Sequence, residues 1–196
     1  MRRFSQHSLM LVVFIIAVLL AAFEPEASSK LRFDREAIAQ GEWWRLLSAH
    51  VVHLGLNHLL MNMLGWVLLW VIFARELSQL HWLGVFFLSA MGVSAGLWWL
   101  NPELYWYVGL SGVLHGVFAA GLIMSIKHWR SLEMLLLLAF AGKLLWEQFA
   151  GAMPGSEEMA GGRVIVDAHL YGALAVLPLV FVYRLIYGRK FGPKRL

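Results

Sequence analysis

Cysteine is absent from the 196-residue chain, and charged residues make up only 14% of it. The first absence rules out a disulfide framework and a thiolate metal site, and it leaves the redox compartment open. The second accompanies a hydrophobic content of 60% and a mean hydropathy of +0.68. A soluble domain of this length rarely carries so much apolar surface, so the expected solvent is lipid. No H-E-x-x-H is present, which disfavours a zinc metalloprotease. No repeat or low-complexity segment is evident. No metal or cofactor is expected, and the net charge of +4 is not read as a nucleic-acid surface, because the basic residues gather at helix ends.

About 20 apolar residues cross a bilayer core, so most of the chain can be spanning helix and a second domain has no room. Six apolar segments are expected at 8–23, 55–74, 80–100, 109–126, 132–150 and 164–187, by their composition and length. They give an all-α membrane protein, a six-transmembrane-helix bundle forming a single domain over 1–196. The first segment follows "MRRFSQH" and is short enough to suggest a signal peptide. Because "AAFEPEASSK" offers no clean small-x-small cleavage site, an uncleaved first helix is expected. The longest polar stretch is 24–54, and its paired tryptophans in "GEWWRLLSAH" suit a membrane interface. The glycine-rich loop 151–163 is expected to be mobile.

The charges that flank the segments set an orientation. Arg2, Arg3, Arg75, Lys127, Arg130, Arg184, Arg189, Lys190, Lys194 and Arg195 fall on alternate turns and both termini. The opposite side balances five basic residues against eight acidic ones, from Glu24 to Glu158. The positive-inside rule then puts both termini in the cytoplasm.

With that orientation, segments two, four and six all start from the outer face. His53, His58 and Asn62 stand near the start of segment two, Ser111 near the start of four, and His169 a few residues into six. Polar groups within a membrane are costly and are functional candidates by default. Gly112 and Gly116, with Ala120, form a small-residue face, and Ala168 and Gly172 form another. Such faces let helix backbones approach closely, which would bring Ser111 towards His169. A serine hydroxyl needs a base within hydrogen-bond reach to act as a nucleophile, and histidine can take the proton and return it to a leaving amine. The Ser111 amide, His58 and Asn62 could supply donors to an oxyanion. Each piece alone also has a structural reading. A membrane serine often bonds to its own backbone, a G-x-x-x-G is often only a packing face, and Asn62 could bond across helices. His50 and His53 could be solvated at the interface or cap a loop. Their convergence at one depth favours a site.

These residues resemble the rhomboid family of intramembrane serine proteases. The family's helix-two His, four residues, His, three residues, Asn stands as His53, His58 and Asn62; its G-x-S-G box as Gly109, Leu110, Ser111 and Gly112; its helix-six histidine and glycine as His169 and Gly172; and its first-loop Trp-Arg as Trp44 and Arg45. The resemblance implies a rhomboid-like bundle with a Ser111–His169 dyad lacking an acidic third member, in a water-accessible cavity below the outer surface. It implies an oxyanion hole from His58, Asn62 and the Ser111 amide, a structural His53, a first loop shaped by Trp44 and Arg45, and lateral substrate access gated by segment five and loop 151–163. A narrower resemblance, on "GLSGVLHG" and "DAHLYGAL", is to the bacterial rhombosortases. It implies an inner-membrane enzyme that removes a C-terminal tail (a Gly-Gly motif, a hydrophobic helix and a basic cluster) from secreted or surface proteins.

One position departs from the pattern. Four residues after the serine the family usually carries an aromatic residue, and here it is His115. His115 lies one helical turn from Ser111 and rivals His169 as base. His169 is favoured, since a base at i+4 on the serine's own helix has little freedom to reach a leaving group; His115 is expected to pack on or hydrogen-bond His169. Asp167, two residues before His169, should point away from it. Lys143 and Glu147, at i and i+4, are expected to neutralise each other, with a role in gating or in meeting a polar substrate group as the alternative. Two rival functions are a catalytically inactive rhomboid-like binder of membrane helices and a di-histidine haem protein, which needs facing histidines on different helices.

Overall fold

The computed structural model describes residues 8–74, 77–125 and 131–187; of the basic residues invoked above, Arg2, Arg3, Arg75, Lys127, Arg130, Arg189, Lys190, Lys194 and Arg195 lie outside them. The chain runs through α1 (Ser8–Ala21), α2 (Glu26–Leu31), β1 (Phe33–Asp34), α3 (Arg35–Ala39), α4 (Arg45–Ser48), α5 (Leu56–Phe73), α6 (Gln79–Leu100), β2 (Trp106–Tyr107), α7 (Ser111–Ser125), α8 (Ser131–Ala150), α9 (Ser156–Ala160), α10 (Val166–Ala175) and α11 (Leu177–Tyr187). Among the described residues three helical stretches are long and apolar enough to cross a membrane, Leu56–Phe73, Gln79–Leu100 and Val166–Tyr183, and α1 and α7 are shorter apolar helices. The chain is therefore a mostly helical, multi-pass membrane protein.

Two expected boundaries move for local reasons. The fourth segment begins at Ser111 rather than 109, because Gly109 has φ +124°, a conformation that ends regular right-handed helix. The sixth segment breaks at Val176 into α10 and α11. Pro178 has no N–H to donate to the Leu174 carbonyl, and its ring crowds that oxygen.

The polar stretch 24–54 is more ordered than its composition suggests. It holds three short helices, and β1 pairs antiparallel with β2, Phe33 opposite Tyr107 and Asp34 opposite Trp106. Asp34 caps α3 by accepting from the Ala37 N–H. Arg35 fastens this region to the end of α6: its guanidinium donates to the carbonyls of Leu97, Trp98, Asn101 and Leu104 at 2.6–3.0 Å and stacks on the Trp98 ring at 4.9 Å. Cations and donors suit a helix C-terminus, whose last carbonyls lack intrahelical partners. Loop 151–163 also carries structure, since α9 lies between Gly155 and Gly161, both left-handed.

The core is built on α6, α7 and α10. Small residues set the spacing between α7 and α10. A Cβ on Gly112 would stand 2.8 Å from the Ala168 carbonyl oxygen, one on Gly116 would stand 2.6 Å from that of Gly172, and one on Gly172 would overlap the Gly112 carbonyl. The two helices thus meet backbone to backbone along the small-residue faces read from the sequence.

Candidate active site

The N-terminal ends of α5, α7 and α10 open on one cavity of about 610 Å³, lined by His58 and Asn62, Ser111 and His115, and His169. Val108, Tyr105 and Trp106 wall it on one side, and residues 160–165 on another. A Cβ on Gly162 would stand 3.1 Å from Leu54 Cδ1 beside α5, so the end of loop 151–163, which lines the cavity, packs close to the start of α5.

The close α7–α10 contact brings the Ser111 Oγ to 3.0 Å from His169 Nε2. The other ring nitrogen of His169 faces α8, with both oxygens of the Glu147 carboxylate 3.0 Å from Nδ1. Nδ1 therefore carries the proton and Nε2 is free to accept from Ser111. This departs from the expectation of an imidazole with no acidic neighbour. Glu147 belongs to a helix whose pairing with Lys143 already accounted for it in the sequence, and only the docking of α8 on α10 turns it towards His169.

His115 lies flat on His169, with ring centroids 4.0 Å apart and planes 12° apart. Its Nδ1 sits 2.7 Å from the Ser111 carbonyl oxygen and its Nε2 meets the Lys143 ammonium. Nδ1–H donates to the carbonyl, and Nε2 accepts from Lys143. Of the two alternatives for His115, the structure has packing; its ring nitrogens are engaged with the Ser111 main chain and Lys143. Lys143 donates to Glu147 Oε2 at 2.7 Å. Asp167 faces elsewhere, accepting from Asn101 Nδ2 at 2.7 Å.

On α5, Asn62 Nδ2 donates to the His58 carbonyl at 3.1 Å, which leaves its second N–H for the cavity. His58 Nδ1 accepts from the Leu54 N–H at 3.3 Å, so its Nε2 is the protonated nitrogen and a donor. A Cβ at Gly109 would stand 2.7 Å from His58 Cε1; the glycine makes room for the ring as well as the turn. Because α7 starts at Ser111, its first-turn amides have no intrahelical acceptor. His53 is buried and packs edge-on against His58 at 5.1 Å. Burial, and then the nearby His58, push the His53 pKa down to about 3, so it is neutral. Arg45 is buried, bound to Glu42 at 2.6 Å and to the carbonyls of Ser29 and Arg32, while Trp44 is exposed and reaches the Lys30 carbonyl. Both organise the first loop rather than the cavity.

His115, Glu147 and His169 place three metal-capable atoms within 4.8 Å of one another. The Lys143 ammonium contacts all three residues, so a cation of the protein's own already occupies the centre of this group.

A second, lateral cavity of about 780 Å³ lies between α5, α7 and α8, lined mostly by apolar side chains such as Leu68, Phe118 and Phe140. His115 borders both cavities.

Comparison with known proteins agrees with the fold. The rhomboid domain model matches residues 40–185, and the chain belongs to the rhomboid family. It is 34% identical over 110 residues to the putative rhomboid protease YdcA of Bacillus subtilis (strain 168), covering 53% of this chain and 55% of that protein. It is 32% identical over 97 residues to the rhomboid protease GluP of the same organism, covering 48% of this chain and 18% of that protein. The chain thus spans about half the length of the first and under a fifth of the second.

Proposed function

We propose that the protein is an intramembrane serine endopeptidase acting through Ser111 and His169. The observation that carries this reading is the 3.0 Å approach of Ser111 Oγ to His169 Nε2 in the lining of a cavity shared with His58 and Asn62. Ser111 Oγ attacks the scissile carbonyl carbon as its proton passes to Nε2. The Ser111 amide, His58 Nε2–H and the second Asn62 N–H receive the oxyanion. Collapse of the tetrahedral species expels the amine, which takes the proton from Nε2, and water then hydrolyses the acyl-enzyme through the same base.

Six spanning helices in one domain, with both termini cytoplasmic, would open this cavity to the outer side of a bacterial inner membrane. A membrane-anchored substrate would reach it sideways through the apolar cavity between α5 and α8. The substrate we favour is the C-terminal tail of a secreted or surface protein, with a Gly-Gly motif, a hydrophobic helix and a basic cluster. The "GLSGVLHG" and "DAHLYGAL" segments support that choice. Co-expression with a reporter bearing such a tail tests it. The wild type should remove the tail and Ser111→Ala should leave it on; removal by Ser111→Ala would overturn the serine mechanism, and an intact tail with the wild type would overturn the substrate class.

A further inference from the structure

α8 is the peripheral helix at the site. Among its described side chains only Phe140 and Glu147 are buried, and Glu147 is 3% exposed. Burying a carboxylate on a helix that otherwise faces lipid is costly. The i, i+4 partner Lys143 offsets part of that cost. A pair serving only to neutralise itself would not need to point inward, yet both head groups turn to the His115–His169 stack.

The proton pattern there closes on itself. Ser111 Oγ–H donates to His169 Nε2, His169 Nδ1–H to Glu147, Lys143 to Glu147 Oε2 and to His115 Nε2, and His115 Nδ1–H back to the Ser111 carbonyl. Each donor in the loop finds an acceptor without a reversed tautomer. The Lys143–His169 contact at 3.2 Å is then a donor beside a donor, held by the carboxylate both share.

We infer that Glu147 is the positioning acid of the reaction, completing a Ser111–His169–Glu147 triad whose carboxylate comes from α8, with Lys143 holding that carboxylate in place. This rests on the serine-protease reading above. Glu147 fixes the His169 tautomer with Nε2 unprotonated, and it stabilises the imidazolium formed when Ser111 gives up its proton. The proton stays on His169, on its way from Ser111 to the leaving amine, and Glu147 remains a carboxylate throughout. The cavity side of His169 holds Ser111, its flanks hold His115 from α7 and Lys143 and Glu147 from α8, and His58 of α5 lines the same cavity. Glu147 is thus the one acid facing this imidazole among the described residues.

The test compares purified wild type, Ser111→Ala, Glu147→Gln and Lys143→Met/Glu147→Gln on one cleavable membrane-anchored substrate, with thermal unfolding as the control for folding. Glu147→Gln should lower kcat by roughly 10²–10⁴-fold while KM stays within about threefold. The ascending limb of its kcat–pH profile should move to lower pH, because the imidazolium has lost its counter-charge. The double variant removes both charges and so avoids a buried unpaired lysine; it should stay as slow as Glu147→Gln. The inference is overturned if the double variant regains wild-type kcat, or if Glu147→Gln keeps wild-type kcat and pH profile while Ser111→Ala is inactive. Cleavage by Ser111→Ala overturns this inference and the underlying reading together.

Discussion

Ser111 and His169 lie 58 positions apart in the chain, yet their side chains meet at 3.0 Å because Gly112, Gly116 and Gly172 leave nothing between the backbones of α7 and α10. The spacing of that pair is therefore a packing property, and it can be altered at a distance from the polar atoms.

Gly172→Val should separate the pair. Its Cβ would overlap the Gly112 carbonyl oxygen, which is main chain and cannot swing aside. Overpacking of this kind costs about 1–3 kcal/mol, and the displaced imidazole should cost at least about tenfold in activity. Gly142→Ala is the control, because a Cβ there meets nothing within 4 Å. Thermal unfolding and substrate cleavage measured side by side check both.

The two histidines should not be equivalent. His169→Ala is expected to abolish cleavage, whereas His115→Phe keeps a flat ring against His169 and loses only the Ser111 carbonyl and Lys143 contacts. A stacked aromatic contact is worth about 0.5–1.5 kcal/mol, so His115→Phe should stay within roughly tenfold of wild type. Steady-state kinetics on a cleavable substrate decide it; an inactive His115→Phe beside an active His169→Ala would reverse the assignment.

Arg35 should be a stability residue without a role in the reaction. Three carbonyls at the end of α6 and that of Leu104 in the loop after it accept from its guanidinium. Arg35→Ala should lower stability by about 2–3 kcal/mol. Arg35→Lys should recover little of it, since an ammonium cannot reproduce the planar fork or the stacking on Trp98. Thermal unfolding in detergent measures both.

Stability should fall on the acid side through His50. This ring is fully buried between the first loop and α6, 3.2 Å from Ser94 Oγ, and burial lowers its pKa to about 4 from the ordinary 6.5. The unfolded chain takes up a proton near the ordinary value and the folded chain does not. His50 thus contributes full stability above that value, and the contribution is lost as pH falls from there towards 4. His50→Gln should lessen the fall in unfolding temperature over this window, the remainder resting on His53, whose pKa burial also lowers; an unchanged slope would contradict a role for His50.

Much of this was legible because the sequence places isolated polar residues in apolar segments beside small-residue faces. Ser111, His169, His58 and Asn62 stand out on that basis, and the structure lines one cavity with all four. Glu147 did not stand out: its i, i+4 spacing from Lys143 explained both charges locally, and which face of α8 turns inward depends on docking against α10. Arg35 was hidden for a similar reason, since its acceptors arrive from more than 60 positions away. The β1–β2 pair is two residues long on each side, too short for any alternation to show. The break at Val176 follows from Pro178, which local backbone chemistry explains and a hydropathy window smooths over.

A serine mechanism requires one unusually reactive hydroxyl, that of Ser111. Incubation of the purified protein with a fluorophosphonate, followed by peptide mass mapping, should find a single phosphonylated residue, Ser111, in wild type. The label should be lost in Ser111→Ala and strongly reduced in His169→Ala. Labelling at another serine, or undiminished labelling of Ser111 in folded His169→Ala protein, would contradict it.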